Sequence, residues 1–306
     1  MNKRHNYLAV GFFVVFAIQG IAGFREIDPT ISFEAFVERE RQKYPEITEE
    51  NINAVIDHGK KNGNFPTIDR KEIVFFFHAA KFNVKKACDI IVKHYEIRKL
   101  LPEIFTKDEE DPEITELEEA KNVMSYSILH NEKYEPPGMH YIYTHFIDKN
   151  PDNFDFIKNV RYFFYMIKCL LRKYGTFDGV IVVMNAEGFT FHHLLKLKSH
   201  QHLFSPFSSL IHGALPLRLT KIYVLNASKT AKMAHSFFSL FRNKKEESSV
   251  TLYSPKNKKV FEEVSKTIMP EDGYLNGEGP SYIDQAEKTY ALMKKIHQED
   301  NPVTEN

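Results

Sequence analysis

Tryptophan is absent from the 306 residues, and cysteine occurs only twice, at Cys88 and Cys169. Two cysteines exclude a disulfide scaffold, a zinc ribbon and an iron–sulfur cluster built on cysteine alone. An excess of either charge is also missing, because 41 Lys and Arg balance 41 Asp and Glu. Without net charge there is no global field to collect nucleic acid or an anionic membrane, so any such contact needs a local patch. Neither G-x-x-x-x-G-K-[ST] nor G-x-G-x-x-G occurs, and there is no G-x-S-x-G nucleophile elbow. The sequence therefore gives no reason to expect a nucleotide cofactor, and nucleic acid is not an expected partner. Cys169 lies in a run of large apolar residues and reads as a core thiol, since a catalytic thiolate needs exposure and positive neighbours.

What the chain does have is phenylalanine, 26 of them, within a 42% apolar composition. That excludes wholesale disorder. A phenylalanine-rich interior serves a large core, and equally a protein that encloses an apolar ligand. The first 25 residues stand apart. A basic head (Lys3, Arg4, His5) precedes an apolar stretch from Leu8 to Ala22, broken only by Gln19 and ending in small residues. This reads as a secretory leader over 1–23, with an uncleaved anchor as the other reading. The chain is expected to be secreted, or in the secretory pathway, if the leader is real, and otherwise cytoplasmic and membrane-associated. Asn226-Ala-Ser228 is a glycosylation sequon at the end of an apparent strand.

Residues 28–105 read as a helical region. Thr48 and Asn83 are N-cap candidates, and Ala87, Ile90, Ile91 and Tyr95 recur at helical spacing. An acidic stretch over 103–119 reads as a solvated linker. From about residue 120 to 280, strand and helix patterns alternate: strands over 140–147, 179–184, 221–226 and 250–253, and helices over 154–174, 191–212, 230–241 and 258–268. Residues 284–306 hold a last helix and a tail. The alternation argues for an α/β domain with a mostly parallel sheet sandwiched by helices, preceded by an all-α bundle.

Two features invite function. His192, His193, His200 and His202 fall within eleven residues, but without H-E-x-x-H or an intervening carboxylate. Structural or surface histidines and a metal site both remain readings. In Thr230–Phe241, Met233, Phe237, Phe238 and Phe241 recur every three or four residues, and Arg242, Lys244 and Lys245 follow. An apolar helix flanked by cations suits a lid that touches membrane; a core helix followed by a charged loop is the plainer reading.

Five landmarks, in order, bear a family likeness. Residues 73–87 (IVFFFHAAKFNVKKA) resemble "FLRARKFDVEKA", and 94–105 (HYEIRKLLPEIF) resemble "YYELRKKLPELF". Residues 178–188 (DGVIVVMNAEG) are similar to "GVVVIFDLEG", 215–226 (LPLRLTKIYVLN) to "FPLRVKGIHLIN", and 269–277 (MPEDGYLNG) to a degraded "LPEEYGG". These are signatures of the CRAL-TRIO lipid-binding family, which includes tocopherol- and retinaldehyde-carrying proteins. The resemblance implies a deep apolar cavity over an α/β sheet, closed by a mobile helix that corresponds to Thr230–Phe241. It implies a non-enzymatic, monomeric carrier of a tocopherol-, retinoid- or phospholipid-like molecule between membranes. The surface it meets would be transient and anionic or phosphoinositide-containing. A ligand-free scaffold of the same fold is the alternative. Departures are His78 and Ala80 at the two arginine positions of "FLRAR", which count against phosphoinositide-triggered release, and Asn185 where the family carries Asp.

The expected cavity walls are Tyr141 and Tyr143, then Phe163, Phe164, Ile167 and Leu170, then Ile181 and Val183. Met233, Phe237, Phe238 and Phe241 are expected on the lid. Arg242, Lys244 and Lys245 are the expected membrane contacts. Which side chains of a strand covered on both faces point inward is not decided by periodicity.

Overall fold

Polar side chains set where the helices begin. In the computed structural model, which describes residues 30–105, 112–129, 138–241 and 249–301, four helices come first: α1 (Phe33–Lys43), α2 (Glu49–Lys61), α3 (Arg70–Ala79) and α4 (Val84–Lys99). Ser32, Thr48, Asp69 and Asn83 accept hydrogen bonds from the first-turn amides of these helices. The helices enclose their own apolar core, with Phe36, Ile52, Ile73, Phe77 and Ile91 at its centre. The leader expected over 1–23 and residues 106–111 of the acidic linker lie outside the described residues, and from Ile114 the linker is helical.

Helix α5 (Ile114–Val123) leads into a five-stranded sheet: β1 (Met124–Leu129), β2 (Met139–Phe146), β3 (Gly179–Asn185), β4 (Leu219–Leu225) and β5 (Val250–Leu252). The spatial order is the chain order. β1 pairs antiparallel with β2, and the remaining pairs are parallel. The connections carry α6 (Phe156–Tyr174) from β2 to β3, α7 (Phe191–Ser199) and α8 (Phe204–Gly213) from β3 to β4, and α9 (Lys229–Ser239) from β4 to β5. Parallel crossovers are right-handed, so a sheet wound steadily in one direction carries its crossover helices on one face. The other face is closed by residues 253–275, and α10 (Tyr282–Asp300) runs along the β1 edge. There the edge amide of Ile128 donates to Thr289 Oγ1 at 3.0 Å, and Ser127 Oγ donates to the Tyr282 carbonyl at 2.8 Å. This covers an edge that would otherwise be open to pairing.

Two local readings change. Strand β1, which no strong alternation announced, is an added antiparallel edge. Residues 258–268, expected as a helix, form only a 3-10 turn at Lys258–Glu262. Ser265 Oγ accepts from the Thr267 amide at 3.3 Å, which offers the backbone a local alternative to the helical ladder.

A polar joint fastens the helical bundle to the sheet domain. Glu40, fully buried, accepts from the Thr176 amide at 2.8 Å and from the Thr176 hydroxyl, and pairs with Lys43 at 3.0 Å. Lys43 also donates to the carbonyls of Tyr174 and Thr176. Gly175 ends α6 at φ +75°, and a Cβ there would stand 2.3 Å from the Glu40 carboxylate. Glycine satisfies both the left-handed turn and this close approach. Nearby, Tyr44 donates to Asp178 at 2.8 Å, and Arg218 donates to the Asp178 carbonyl and to His78 Nε2. His78 and Ala80, the two departures from the arginine pattern, are therefore buried positions, and His78 belongs to this joint.

Candidate functional site: an apolar cavity beneath the crossover helices

Between the sheet and its crossover helices lies a cavity of about 320 Å³. Its floor includes Tyr126 on β1, Thr144 and Phe146 on β2, Val182 and Met184 on β3, Ile222 and Val224 on β4, and Val250 and Leu252 on β5. Alternation puts every second residue of a strand on one face. β4 supplies Leu219 as well as Ile222 because its register against β3 jumps: Val180 faces Leu219, while Ile181 faces Lys221. The extra residue, Thr220, is a bulge that reverses which side chains turn inward. The roof includes Phe156, Asn159, Val160 and Phe163 of α6, Leu197 of α7, Phe204, Phe207, Ser208, Ile211 and His212 of α8, and Ala231, Ala234, His235 and Phe238 of α9. No Lys, Arg, Asp or Glu appears among the described lining residues.

Helix α9 closes one side. Ser228 caps it by accepting from the Ala231 amide at 3.2 Å, and its buried residues are Ala231 and Ala234, beside which His235 and Phe238 also face the cavity. Its C-terminal end is held by an aromatic group around the buried Phe204. Phe238 lies 4.3 Å away by ring centroid, Phe241 5.6 Å and Phe237 5.8 Å. The Lys198 ammonium stands 5.2 Å from the Phe237 ring. Edge-on and tilted ring pairs of this kind each add about 0.5–1.5 kcal/mol beyond burial.

The structure distributes the expected site residues unevenly. Phe163 and Phe238 line the cavity, while Phe237 and Phe241 pack on its wall through Phe204. Leu170 is core, and Phe164 and Ile167 line a second cleft of about 380 Å³ beside the helical bundle. That cleft carries Asp69, Lys71, Glu72, Arg98, Arg161, Lys168 and Arg172 beside its apolar side chains, and so offers a mixed interior where the first is apolar. The strand residues correct the expectation: Tyr141, Tyr143, Ile181 and Val183 face away from the cavity. They pack against Val260, Val264, Ile268 and Met269 on the other side of the sheet. The cavity takes the alternate residues of the same strands. Met233 is 52% exposed and points away from the chamber that Ala234 helps to line. Arg242, Lys244 and Lys245 lie outside the described residues.

Several cavity residues escaped the sequence reading. Asn159 had a signal: Phe156, Asn159, Val160 and Phe163 share one helical face by their three- and four-residue spacing, so a lone amide sits in an apolar stripe. Phe204 and the bulge-shifted Leu219 and Ile222 had none. The histidine cluster disperses. His193 is buried and its Nδ1 accepts from the Thr190 amide at 3.2 Å; His200 stacks near Phe156; His202 pairs with Glu103 at 3.0 Å. Burial holds the His193 pKa below its ordinary value, with Lys196 and His192 adding to the effect. Among the described residues no group of three or more His, Cys, Asp and Glu gathers as a metal would require. Asn185 lies at the end of β3 facing the packed side. Its amide donates to Tyr143 Oη at 3.1 Å, and its oxygen accepts from Glu187 N and Asn226 Nδ2.

An apolar chamber between a mostly parallel sheet and its crossover helices is the concave, mostly apolar kind of site that small molecules occupy. Residues 124–273 match the family model described as the CRAL/TRIO domain. The chain carries a CRAL/TRIO domain, the domain of a family of lipid-binding and lipid-transfer proteins. Among curated proteins it is similar to the alpha-tocopherol transfer protein-like proteins of Homo sapiens and Pongo abelii. Each is 21% identical over 242 residues, covering 76% of this chain and 67% of the relative. The Mus musculus protein of the same name is 20% identical over 241 residues, covering 76% and 66%. Among solved structures, that of Sfh5 aligns over 88% of this chain and 100% of its own, with a TM-score of 0.47 and 12% identity.

Proposed function

We propose that this protein is a carrier, not an enzyme. It takes up one small hydrophobic lipid in the cavity, shields it from water and exchanges it at membrane surfaces by displacement of α9. The observation that carries the reading is the cavity itself, lined by aromatic and aliphatic side chains within a CRAL-TRIO domain. Burying apolar surface is worth about 25 cal/mol per Å², so a chamber of this lining retains an apolar guest without any covalent step. Its volume lies at the lower end of the roughly 300–1,000 Å³ typical of small-molecule sites. Together with a described lining that holds no Lys, Arg, Asp or Glu, this favours a compact neutral molecule of the tocopherol or retinoid kind over a two-chain phospholipid. The relatives' name, alpha-tocopherol transfer protein-like, supports the same class.

Membrane contact is read from the outer surface. Met233 and Leu240 at α9 and Phe191 and Leu195 on the adjoining α7 are exposed large apolar residues. Arg242, Lys244 and Lys245 follow in sequence. Apolar side chains that enter lipid beside cations that meet anionic head groups suit transient docking of a monomer, phosphoinositide membranes included. With the leader at 1–23 in use, the carrier works in the secretory pathway or outside the cell.

The test is native mass spectrometry of protein purified from a eukaryotic secretory host, followed by organic extraction. A single apolar ligand at one per chain is the expected result. Protein that is empty and also refuses tocopherol, retinoids and phospholipids would sink the carrier reading and leave a scaffold of the same fold. The same spectrum reports whether residues 1–23 are removed.

A further inference from the structure

Two polar atoms in the cavity meet no protein partner. Thr144 is 1% exposed and Asn159 is 4% exposed, both line the chamber, and neither Thr144 Oγ1 nor Asn159 Oδ1 has a hydrogen bond. Buried polar groups in native proteins are almost always satisfied, and an exception calls for a reason. For Asn159 the orientation of the amide is fixed. Its Nδ2 donates to the Asp155 carbonyl at 2.7 Å, and rotating the amide would set two acceptor oxygens against each other. The atom left over is therefore an acceptor, in want of a donor. Thr144, on the floor, is a hydroxyl that can donate or accept.

We infer that the cavity selects an apolar molecule bearing a neutral hydroxyl group, whose O–H donates to Asn159 Oδ1 and whose oxygen accepts from Thr144 Oγ1. This rests on the carrier reading and narrows it. A carboxylate or phosphate would bring a charge into a chamber whose described lining has no Lys or Arg, only the imidazoles of His212 and His235, and would set anionic oxygens against the Asn159 acceptor. An ether, ester or hydrocarbon of the same bulk would leave Asn159 unanswered. Sites built around a buried polar group reject the analogue that lacks its partner far more strongly than they reject a change of one methylene.

The test is competition for the full-length, delipidated protein between farnesol, its methyl ether and farnesoic acid, read as bound ratios by native mass spectrometry. A second series uses retinol and retinyl methyl ether. The wild type is expected to prefer each alcohol by about tenfold or more over its ether, and to exclude the acid. Asn159→Leu and Thr144→Val, both close in volume to the native residues, are expected to bring alcohol and ether to within about threefold of each other. Equal binding of alcohol and ether by the wild type would overturn the hydroxyl assignment and leave the carrier reading standing. Refusal of every probe in both series would overturn the carrier reading itself. The wild-type ratio decides the matter even if a variant fails to fold, and an unchanged preference in folded Asn159→Leu would also defeat the assignment.

Discussion

The two faces of the sheet are made from the same strands and do opposite work. On one face Tyr141, Tyr143, Val183, Tyr223 and Leu225 meet residues 253–275 in a closed core whose phenols find partners. Tyr143 accepts from Asn185, Tyr223 donates to Glu263 at 3.0 Å, and Tyr274 donates to the Ser254 carbonyl at 3.0 Å. On the other, the alternate residues border open volume, and Thr144 and Asn159 keep unmet hydrogen-bonding capacity. Close packing and open volume are thus separated by strand parity. The irregular 253–275 segment can follow every contour of its face, whereas the rigid crossover helices bridge theirs and leave space.

The comparison breaks first on the packed face. Tyr143→Ala removes a fully buried ring and is expected to cost about 3–5 kcal/mol, read as a lower urea midpoint at unchanged slope. A cost below about 1 kcal/mol would mean that this face is as loosely filled as the other.

Acid should act most strongly where the helical bundle meets the sheet domain. Burial, with Arg218 and Lys43, lowers the His78 pKa to about 3; burial lowers that of His94 to about 4, although its Nδ1 meets the Ala214 carbonyl at 2.6 Å. The unfolded chain binds these protons near pH 6.5 and the folded chain does not. Stability is therefore fully present above pH 6.5 and falls as pH drops toward 4, by about 1.4 kcal/mol per unit for each histidine. Urea titrations at pH 7, 6 and 5 should show this slope, and His78→Gln with His94→Gln should flatten it. An equal slope in that double variant would place the acid sensitivity elsewhere.

Filling the receptive face should be mild for the fold and severe for the guest. Ala234→Leu projects into open volume, so stability is expected to change by less than about 1.5 kcal/mol while extracted lipid per chain falls severalfold. Lipid content that stays at one per chain would show that the guest sits elsewhere. Smallest in stability is the outer surface. Met233→Asp with Leu240→Asp, at side chains 52% and 76% exposed, should shift stability by no more than about 0.5 kcal/mol. Co-sedimentation with anionic liposomes should nevertheless drop by tenfold or more. Undiminished liposome binding would remove α9 from the membrane contact.

The alternation from residue 120 onward carried the α/β class, and Thr48 and Asn83 marked helix starts that the structure keeps. The closing helix was legible because Phe237, Phe238 and Phe241 recur at helical spacing. The cavity floor was not. Strands covered on both faces have apolar residues at both parities, so Tyr141 and Tyr143 looked as suitable as Ile142 and Phe146. The register jump at Thr220 depends on pairing between β3 and β4, which no local pattern encodes. Phe204 owes its place to three rings that reach it from another helix. Asn159 was the one exception, an amide out of character on its own helix face.

The bond from Ile128 to Thr289 spans 161 residues of chain. During synthesis β1 leaves the ribosome long before the helix that shields its outer edge exists. At about 5–20 residues per second that interval lasts roughly 8–32 seconds. For that time a nascent chain presents a free strand edge that any other extended segment can join. A ribosome stalled before residue 282 would leave this edge open, so the last helix is what withdraws it from other strands.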